Sequence, residues 1–318
     1  MPLSEFKIIS EILAPLATSK AALRLTDDVA VLRPRRGSDL ILKTDSIVEG
    51  VDFFPNDPAH TIAQKALRVN LSDLAAKGAE PVGYLLTLVL RKSTRTAWLR
   101  ELARGLASDQ RRFKVSLLGG DLSSSSGPLT ITIAAFGYVP RGQAILRSGA
   151  RAGDIVFVSG TIGDSAGGLE ALKTKARRAS LVSRYRVPQP RMSLGVKLRG
   201  IASAALDVSD GLLADLGHVA DASAVNIRIE ARRVPMSTAL KKVWGNDEGA
   251  VLRAATAGDD YEIAFTVPPT KRAKLLAAAK AAGVRVSEIG TVTPGKGVVI
   301  VDAKGAPIPV GRRGFTHF

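Results

Sequence analysis

The aspartates of this 318-residue chain fall where carboxylates can do chemistry. Asp27 and Asp28 precede the apolar run Val29–Leu32, and Asp45 closes another, in Lys43-Thr44-Asp45. Asp73 sits in Asn70-Leu71-Ser72-Asp73, within a helical pattern. Asp121 follows Gly119-Gly120, and Asp207 and Asp210 flank Ser209 just before a second helical pattern. Carboxylates at strand ends and helix starts can converge on one cleft, where their mutual repulsion calls for a cation. Mg²⁺ is the natural one, because it takes oxygen ligands, keeps waters and bridges a few carboxylates to substrate phosphates. Any single aspartate reads equally well as a turn or helix-cap residue. The metal reading rests on their number in a basic chain and on the glycines beside them. Gly119 and Gly120 lack a Cβ and would let the backbone approach a phosphate. The stretch from Ser159 to Gly168 offers backbone N–H groups at a helix start, which is either a phosphate site or a tight strand-to-helix turn. A G-x-x-x-x-G-K-[ST] loop, a His-Arg-Asp kinase loop and a G-x-S-x-G elbow are all missing, so any ATP site uses another scaffold.

The elements that must position these residues read as follows. Phe6, Ile9, Ile12, Leu13 and Leu16 recur at helical spacing over residues 4–17, limited by Pro15. Val29–Leu32 and Leu40–Thr44 read as a hairpin or a strand–turn–strand across Pro34–Gly37. A helix is expected over Thr61–Lys77, stopped by Gly78 and Pro81. Strands at Gly83–Leu90, Val115–Leu118 and Leu129–Val139 surround a helix at Ala97–Arg112. Pro140-Arg141-Gly142 marks a domain boundary. Beyond it come strands at Ile155–Val158, Ala204–Val208 and Glu262–Val267, and helices after Gly168, through Ala222 and over Lys271–Gly283. The order is that of an α/β (α+β) protein of two domains, 1–140 and 141–318.

Composition narrows the function classes. The chain has no cysteine, which excludes disulfides, zinc–thiolate sites, iron–sulfur clusters and catalytic thiols. Three histidines leave little for a His-rich metal site. A cytoplasmic location is expected, since Met1–Ser10 lacks the pattern of a signal peptide. No membrane partner is expected, because no apolar run has spanning length. The net charge of +16 favours anionic partners, yet the basic residues are dispersed as pairs such as Arg35–Arg36 and Arg111–Arg112. Without aromatic interleaving or a known motif, no nucleic-acid partner is expected.

Taken in order, the motifs resemble the thiamine-monophosphate kinase family. They are Thr26-Asp27-Asp28-Val29-Ala30-Val31-Leu32, Thr44-Asp45-Ser46-Ile47-Val48-Glu49-Gly50-Val51-Asp52-Phe53, Asn70-Leu71-Ser72-Asp73-Leu74-Ala75-Ala76-Lys77-Gly78-Ala79 and Gly119-Gly120-Asp121. Arg147-Ser148-Gly149-Ala150, Asp207-Val208-Ser209-Asp210-Gly211-Leu212, Gly258-Asp259-Asp260-Tyr261-Glu262 and the closing Gly314-Phe315-Thr316-His317-Phe318 complete the set. The resemblance covers nearly the whole chain. It implies the two-domain fold of the aminoimidazole ribonucleotide synthetase-like superfamily, with the N-terminal sheet pairing across a homodimer. The N-terminal domain would bind ATP and Mg²⁺ and form the dimer; the C-terminal domain would complete the ATP and substrate cleft. The implied reaction moves the γ-phosphoryl of ATP to thiamine monophosphate, giving thiamine diphosphate and ADP by direct, Mg-assisted in-line transfer.

Residue by residue, the resemblance implies several Mg²⁺ ions on Asp28, Thr44, Asp45, Asp73, Asp121, Asp207 and Asp210. It puts ATP on Gly119, Gly120, Asp121, Arg147 and Ser209, with Asp45, Asp121 and Arg147 as catalytic groups. Asp52, Asp259 and Phe315 would face the thiamine. The chain departs from the family pattern at Thr26 (usually Gly), Lys43 (often a metal-contacting Ser or Thr), Asp52 (usually His), Lys77 (usually Met) and Asp259 (usually Glu). The Asp52 and Asp259 changes bear on the thiamine contacts. Lys43 either brings positive charge to the site or points to solvent. Sibling enzymes that need a reactive cysteine do not fit a chain without one. A basic nucleic-acid-binding protein is the reading from another class, and it would be indifferent to loss of Asp45 or Asp121.

Overall fold

The computed structural model describes residues 3–316. His317 and Phe318, the end of the C-terminal motif, lie outside the described residues, as do Met1 and Pro2. The chain forms two compact units. The first runs to Leu74 and resumes over Ala79–Gly142; the second takes Ala75–Gly78 and the chain from Gln143 onward.

In the first unit α1, Glu5–Ile8, passes into a π-helical turn, Ile9–Leu13, and a 3₁₀ turn, Ala14–Leu16. The single helix expected over 4–17 is therefore three short pieces. Pro15 has no N–H to return to the Glu11 carbonyl, so regular α bonding stops there. Then come β1 Ser38–Val48, α2 Ala59–Ala76, β2 Glu80–Leu90, α3 Thr96–Phe113, β3 Ser116–Ser124 and β4 Thr130–Pro140. The sheet order is β1-β4-β2-β3. β4 lies antiparallel to both β1 and β2, while β2 and β3 are parallel and joined through α3, the crossover that parallel pairing needs.

The hairpin expected between Val29–Leu32 and Leu40–Thr44 does not form. β1 pairs instead with β4, from Ser38 opposite Pro140 to Val48 opposite Thr130. Val31 is left with a loop bond, its N–H donating to the Ala21 carbonyl at 2.8 Å. A full-length partner satisfies far more backbone groups than a short neighbour could. The long pairings also carry the strands past the chemical residues. Asp45 and Asp121 lie inside β1 and β3 rather than at their ends.

Helix α2, which carries Asp73, is fastened to α3 by a buried ion pair. Arg68 donates to both carboxylate oxygens of Asp109, at 2.6 and 2.7 Å, and Gln64 adds a bond at 3.1 Å. Leu67, Leu71 and Leu74 on α2 are fully buried.

The second unit holds β5 Ile155–Ser159, α4 Asp164–Lys173, α5 Ala179–Arg186, α6 Met192–Leu198, β6 Ala204–Asp207 and α7 Leu212–Ser223. It continues with β7 Asn226–Glu230, α8 Thr238–Trp244, α9 Glu248–Ala255, β8 Ile263–Val267, α10 Arg272–Ala282, β9 Val286–Thr293 and β10 Gly297–Val301. Its sheet runs β10-β7-β9-β5-β8-β6. Strand alternation sends Val156 and Val158 to one apolar cluster, with Leu206, Leu212 and Leu216, and Phe157 to the other, with Leu198, Phe265 and Leu275. Ala75–Gly78 belongs here because Gly195 meets it backbone to backbone: a Cβ on Gly195 would lie 2.0 Å from the Ala75 carbonyl oxygen. Lys77 donates to the Ala205 carbonyl at 2.7 Å, and Arg199 to that of Gly78 at 2.6 Å. No helix among the described residues is long and apolar enough to cross a membrane.

Asp109→Ala leaves the Arg68 guanidinium buried without its counter-charge, and we expect a loss of about 3–5 kcal/mol. Replacing both partners, with Arg68→Met and Asp109→Leu, should cost much less. Urea unfolding of the three proteins measures both.

Candidate functional site

β1 supplies the first group of chemical side chains. Strand alternation turns Lys43, Asp45 and buried Ile47 to one face, and Leu40, Leu42, Thr44 and Ser46 to the other, more exposed face. Asp73 on α2 meets the Lys43 face. The Lys43 ammonium lies 3.1 Å from Asp45 Oδ1 and 2.9 Å from Asp73 Oδ2. Of the two readings for Lys43, it brings charge to the carboxylates. Burial raises the Asp45 pKa; Lys43 pulls it down, and Asp73 pushes it up again. Burial also opposes the charge on Lys43, but Asp73 and Asp45 outweigh it and hold the ammonium pKa above its ordinary value. Asn70 Oδ1 and Ser72 Oγ, beside Asp73 on the same helix, are buried with no hydrogen-bond partner among the described residues.

Asp28, Gly119, Gly120 and Asp121 line a cavity of about 760 Å³, together with Leu40, Leu85 and Phe136. Gly120 has a second reason to be glycine: a Cβ there would sit 1.8 Å from the Leu86 carbonyl oxygen on β2. Register puts Asp121 level with Thr87, Thr132 and Ser46, hence on the Thr44 face. Asp45 and Asp121 thus occupy opposite faces and opposite edge strands. Three strand spacings separate those strands, about 14 Å at the usual interval. Within one chain the structure brings Asp45 to Asp73 but not to Asp121. Asp52 fastens its own turn, its Oδ2 accepting from the Val48 N–H at 2.7 Å.

In the second unit Asp207 ends β6, and the chain turns sharply through Ser209, Asp210 and Gly211 into α7. One carboxylate holds that turn. Asp215 Oδ2 accepts N–H bonds from Ser209, Asp210 and Gly211, each at 3.0 Å. Burial raises its pKa to about 7; the Gly211 N–H works against the shift, and Asp210 adds to it. The Asp259 N–H donates to the Ser209 carbonyl at 2.7 Å, and the Phe315 N–H to that of Asp210 at 2.9 Å. The turn therefore gathers Asp207, Ser209, Asp210, Asp259 and Phe315. Ligand atoms of Asp210, Asp215 and His218 lie within 4.8 Å of one another. Arg147 is elsewhere: its carbonyl accepts from Ser223 Oγ at the last residue of α7. That is one helix from Asp210, about 17 Å along its axis.

Sequence reasoning missed the groups that hold this corner. Asp215 lies five residues beyond Asp210, inside an apolar helix, and only its place in the first helical turn signals a cap. Glu262 is fully buried and bonded to Ser159 Oγ at 2.6 Å, Arg184 at 3.0 Å and Arg191 at 2.6 Å. Asp260 explains the glycine-rich stretch. Its carboxylate accepts from the N–H groups of Gly163 at 2.7 Å and Ser165 at 3.4 Å. The start of α4 is thus a tight turn capped from within, and a phosphate is not needed there. Burial pushes the Asp260 pKa well up.

Comparison with known proteins adds a second line of evidence. Residues 26–139 match the N-terminal domain of AIR synthase related proteins, and residues 151–303 match the C-terminal domain. A thiamine-monophosphate kinase of Caulobacter vibrioides is 43% identical over 99% of this chain and 91% of its own. Among solved structures, a thiamine-monophosphate kinase from Stenotrophomonas maltophilia K279a superposes with a TM-score of 0.85 at 38% identity, covering 94% of this chain and 97% of that one. AaThiL, complexed with AMPPCP and TMP, gives 0.79 at 30% identity over 100% and 99%.

The Asp215 shift has a pH consequence. Its folded pKa of about 7 lies above the ordinary 3.8, so in that window the folded chain keeps a proton that the unfolded chain has released. Asp215 therefore withdraws stability as pH rises from 3.8 towards about 7. Chemical unfolding across that range should show a shallower decline in Asp215→Asn than in the wild type.

Proposed function

The chain belongs to the thiamine-monophosphate kinase family, and from that premise we infer that it transfers the γ-phosphoryl of ATP to thiamine monophosphate, giving thiamine diphosphate and ADP. The match to a thiamine-monophosphate kinase along nearly the whole length carries this reading. ATP is the co-substrate and the setting is the cytoplasm. We assign the domain spanning 1–140 to ATP, Mg²⁺ and dimer formation, and the domain spanning 141–318 to completing the site.

The donor set fits Mg²⁺. Asp45 and Asp73 present oxygens around a position that already holds a cation, the Lys43 ammonium. Asn70 and Ser72 beside them carry unsatisfied buried oxygens, the kind of group that a bound ion or its water relieves. We assign several ions to Asp28, Thr44, Asp45, Asp73, Asp121, Asp207 and Asp210. When bound, Mg²⁺ supplies neutralisation of phosphate oxygens and alignment of the two reactants. Gly119, Gly120, Asp121, Arg147 and Ser209 are assigned to ATP, with Arg147 lending a guanidinium to the phosphates. Asp52, Asp259 and Phe315 are assigned to the thiamine side. The acceptor is a phosphate monoester, which is anionic near neutral pH, so the chain needs no strong general base. One P–O bond to ADP breaks as one to the acceptor oxygen forms, in line and without a phosphoenzyme.

We further propose a homodimer in which each site draws on both chains. A site that uses Asp45 and Asp121 together cannot be assembled across the sheet of a single chain, because they stand on its opposite edges and faces. A partner copy brings its own Asp121 to the Asp45 edge.

ADP release should require both Mg²⁺ and thiamine monophosphate; release indifferent to the thiamine compound would overturn the assignment. Asp45→Asn and Asp121→Asn should each lower turnover on the order of 100-fold or more. Unfolded and refolded together in equal amounts, the two variants should recover about a quarter of wild-type activity, because half the dimers are mixed and each has one intact site. Absence of recovery would show that each site belongs to one chain.

A further inference from the structure

Lys43 stands where two carboxylates would otherwise repel each other. Its ammonium is 3.1 Å from Asp45 and 2.9 Å from Asp73, and its side chain is 30% exposed. Both contacts follow from the backbone. Lys43 and Asp45 share a strand face because they are two residues apart, and α2 lays Asp73 against that face. An ammonium carries one positive charge and three donors, enough to bond both carboxylates at once. A Mg²⁺ ion needs its oxygens at about 2.0–2.1 Å. An ion shared by Asp45 and Asp73 would therefore overlap the space that the ammonium fills.

We propose that Lys43 is the chain's own cation in the metal cluster, taking the position between Asp45 and Asp73 in place of one divalent ion. Two consequences follow. The chain binds one divalent ion fewer than it would with a small neutral residue at 43. Asp45 and Asp73 are also held in place before any metal arrives, each keeping oxygens for ions on its outer side. This rests on the reading that these aspartates are metal ligands, and Lys43 acts through them as a positioning residue.

The test counts bound metal without reference to turnover. Mn²⁺ binding to the full-length protein is measured by equilibrium dialysis and by the electron paramagnetic resonance of free Mn²⁺, with and without AMPPCP. Lys43→Ser should bind one more Mn²⁺ per chain than wild type, and Lys43→Arg, which keeps the charge, should match wild type. Lys43→Ala opens the same position without adding a ligand; it guards against a folding defect peculiar to serine, and it too should gain Mn²⁺. Equal Mn²⁺ counts in wild type, Lys43→Ser and Lys43→Ala would overturn the proposal. Asp45→Asn separates the two failures. If Asp45→Asn loses Mn²⁺ while the Lys43 variants change nothing, only the Lys43 proposal falls. If Asp45→Asn binds as much as wild type, the metal reading at this edge falls and the proposal with it.

Discussion

A carboxylate removed from water must be given either a cation or a set of N–H donors. The interior of this chain is arranged around that demand. Asp109 receives Arg68, and Glu262 receives Arg184 and Arg191 with a serine hydroxyl. Among the described residues, Asp215 and Asp260 have no side-chain cation in hydrogen-bonding range and instead collect backbone N–H groups at helix starts. Asp45 and Asp73 share Lys43. These solutions differ in what they leave over. A bidentate arginine uses both oxygens of its partner, which makes Asp109 a fastener. A single ammonium between two aspartates leaves further oxygens on each, which suits a site.

The same demand builds the corner at Asp207–Gly211. Three N–H groups converging on Asp215 force the chain to turn within a few residues, and this turn presents the side chains of Ser209 and Asp210 at the start of a helix. Asp259 and Phe315 then attach to the turn through their own N–H groups. Residues far apart in the chain become neighbours because their backbones bond to one tight turn. A phosphate ligand brought there would meet a frame already fixed.

Legibility in the sequence followed how local each cause was. α2 and α3 were readable because apolar spacing and stop signals lie within the segments themselves. β1 was read short and given the wrong partner, since its partner β4 lies far along the chain and no local pattern records that pairing. Asp45, Asp73 and Asp121 could be singled out by type and neighbourhood, but not their faces: these depend on register across four strands. Asp215 stands outside the quoted motifs and Glu262 closes one of them, yet neither residue's work, holding backbone N–H groups or arginines, can be read from its type and neighbours. Gly120 shows the converse error of too narrow a reason. Its missing Cβ suggested room for a phosphate, yet the Leu86 carbonyl alone forbids a Cβ there.

Asp52 and Asp259, two positions that depart from the family pattern, are both held by their own turns. Asp52 and Asp259 are shorter than a glutamate and sit in turns, where Asp readily bonds its own backbone neighbourhood. Asp52 does so through Oδ2 to the Val48 N–H, and Asp259 Oδ1 accepts from the Tyr261 hydroxyl. Each carboxylate is therefore tied to its own stretch of chain by a local bond. Such a bond fixes where the carboxylate points, so its direction is set by the turn. A carboxylate held this way gains orientation and gives up reach. The departures at 52 and 259, from a usual His and a usual Glu, thus bring in carboxylates that the turns themselves hold.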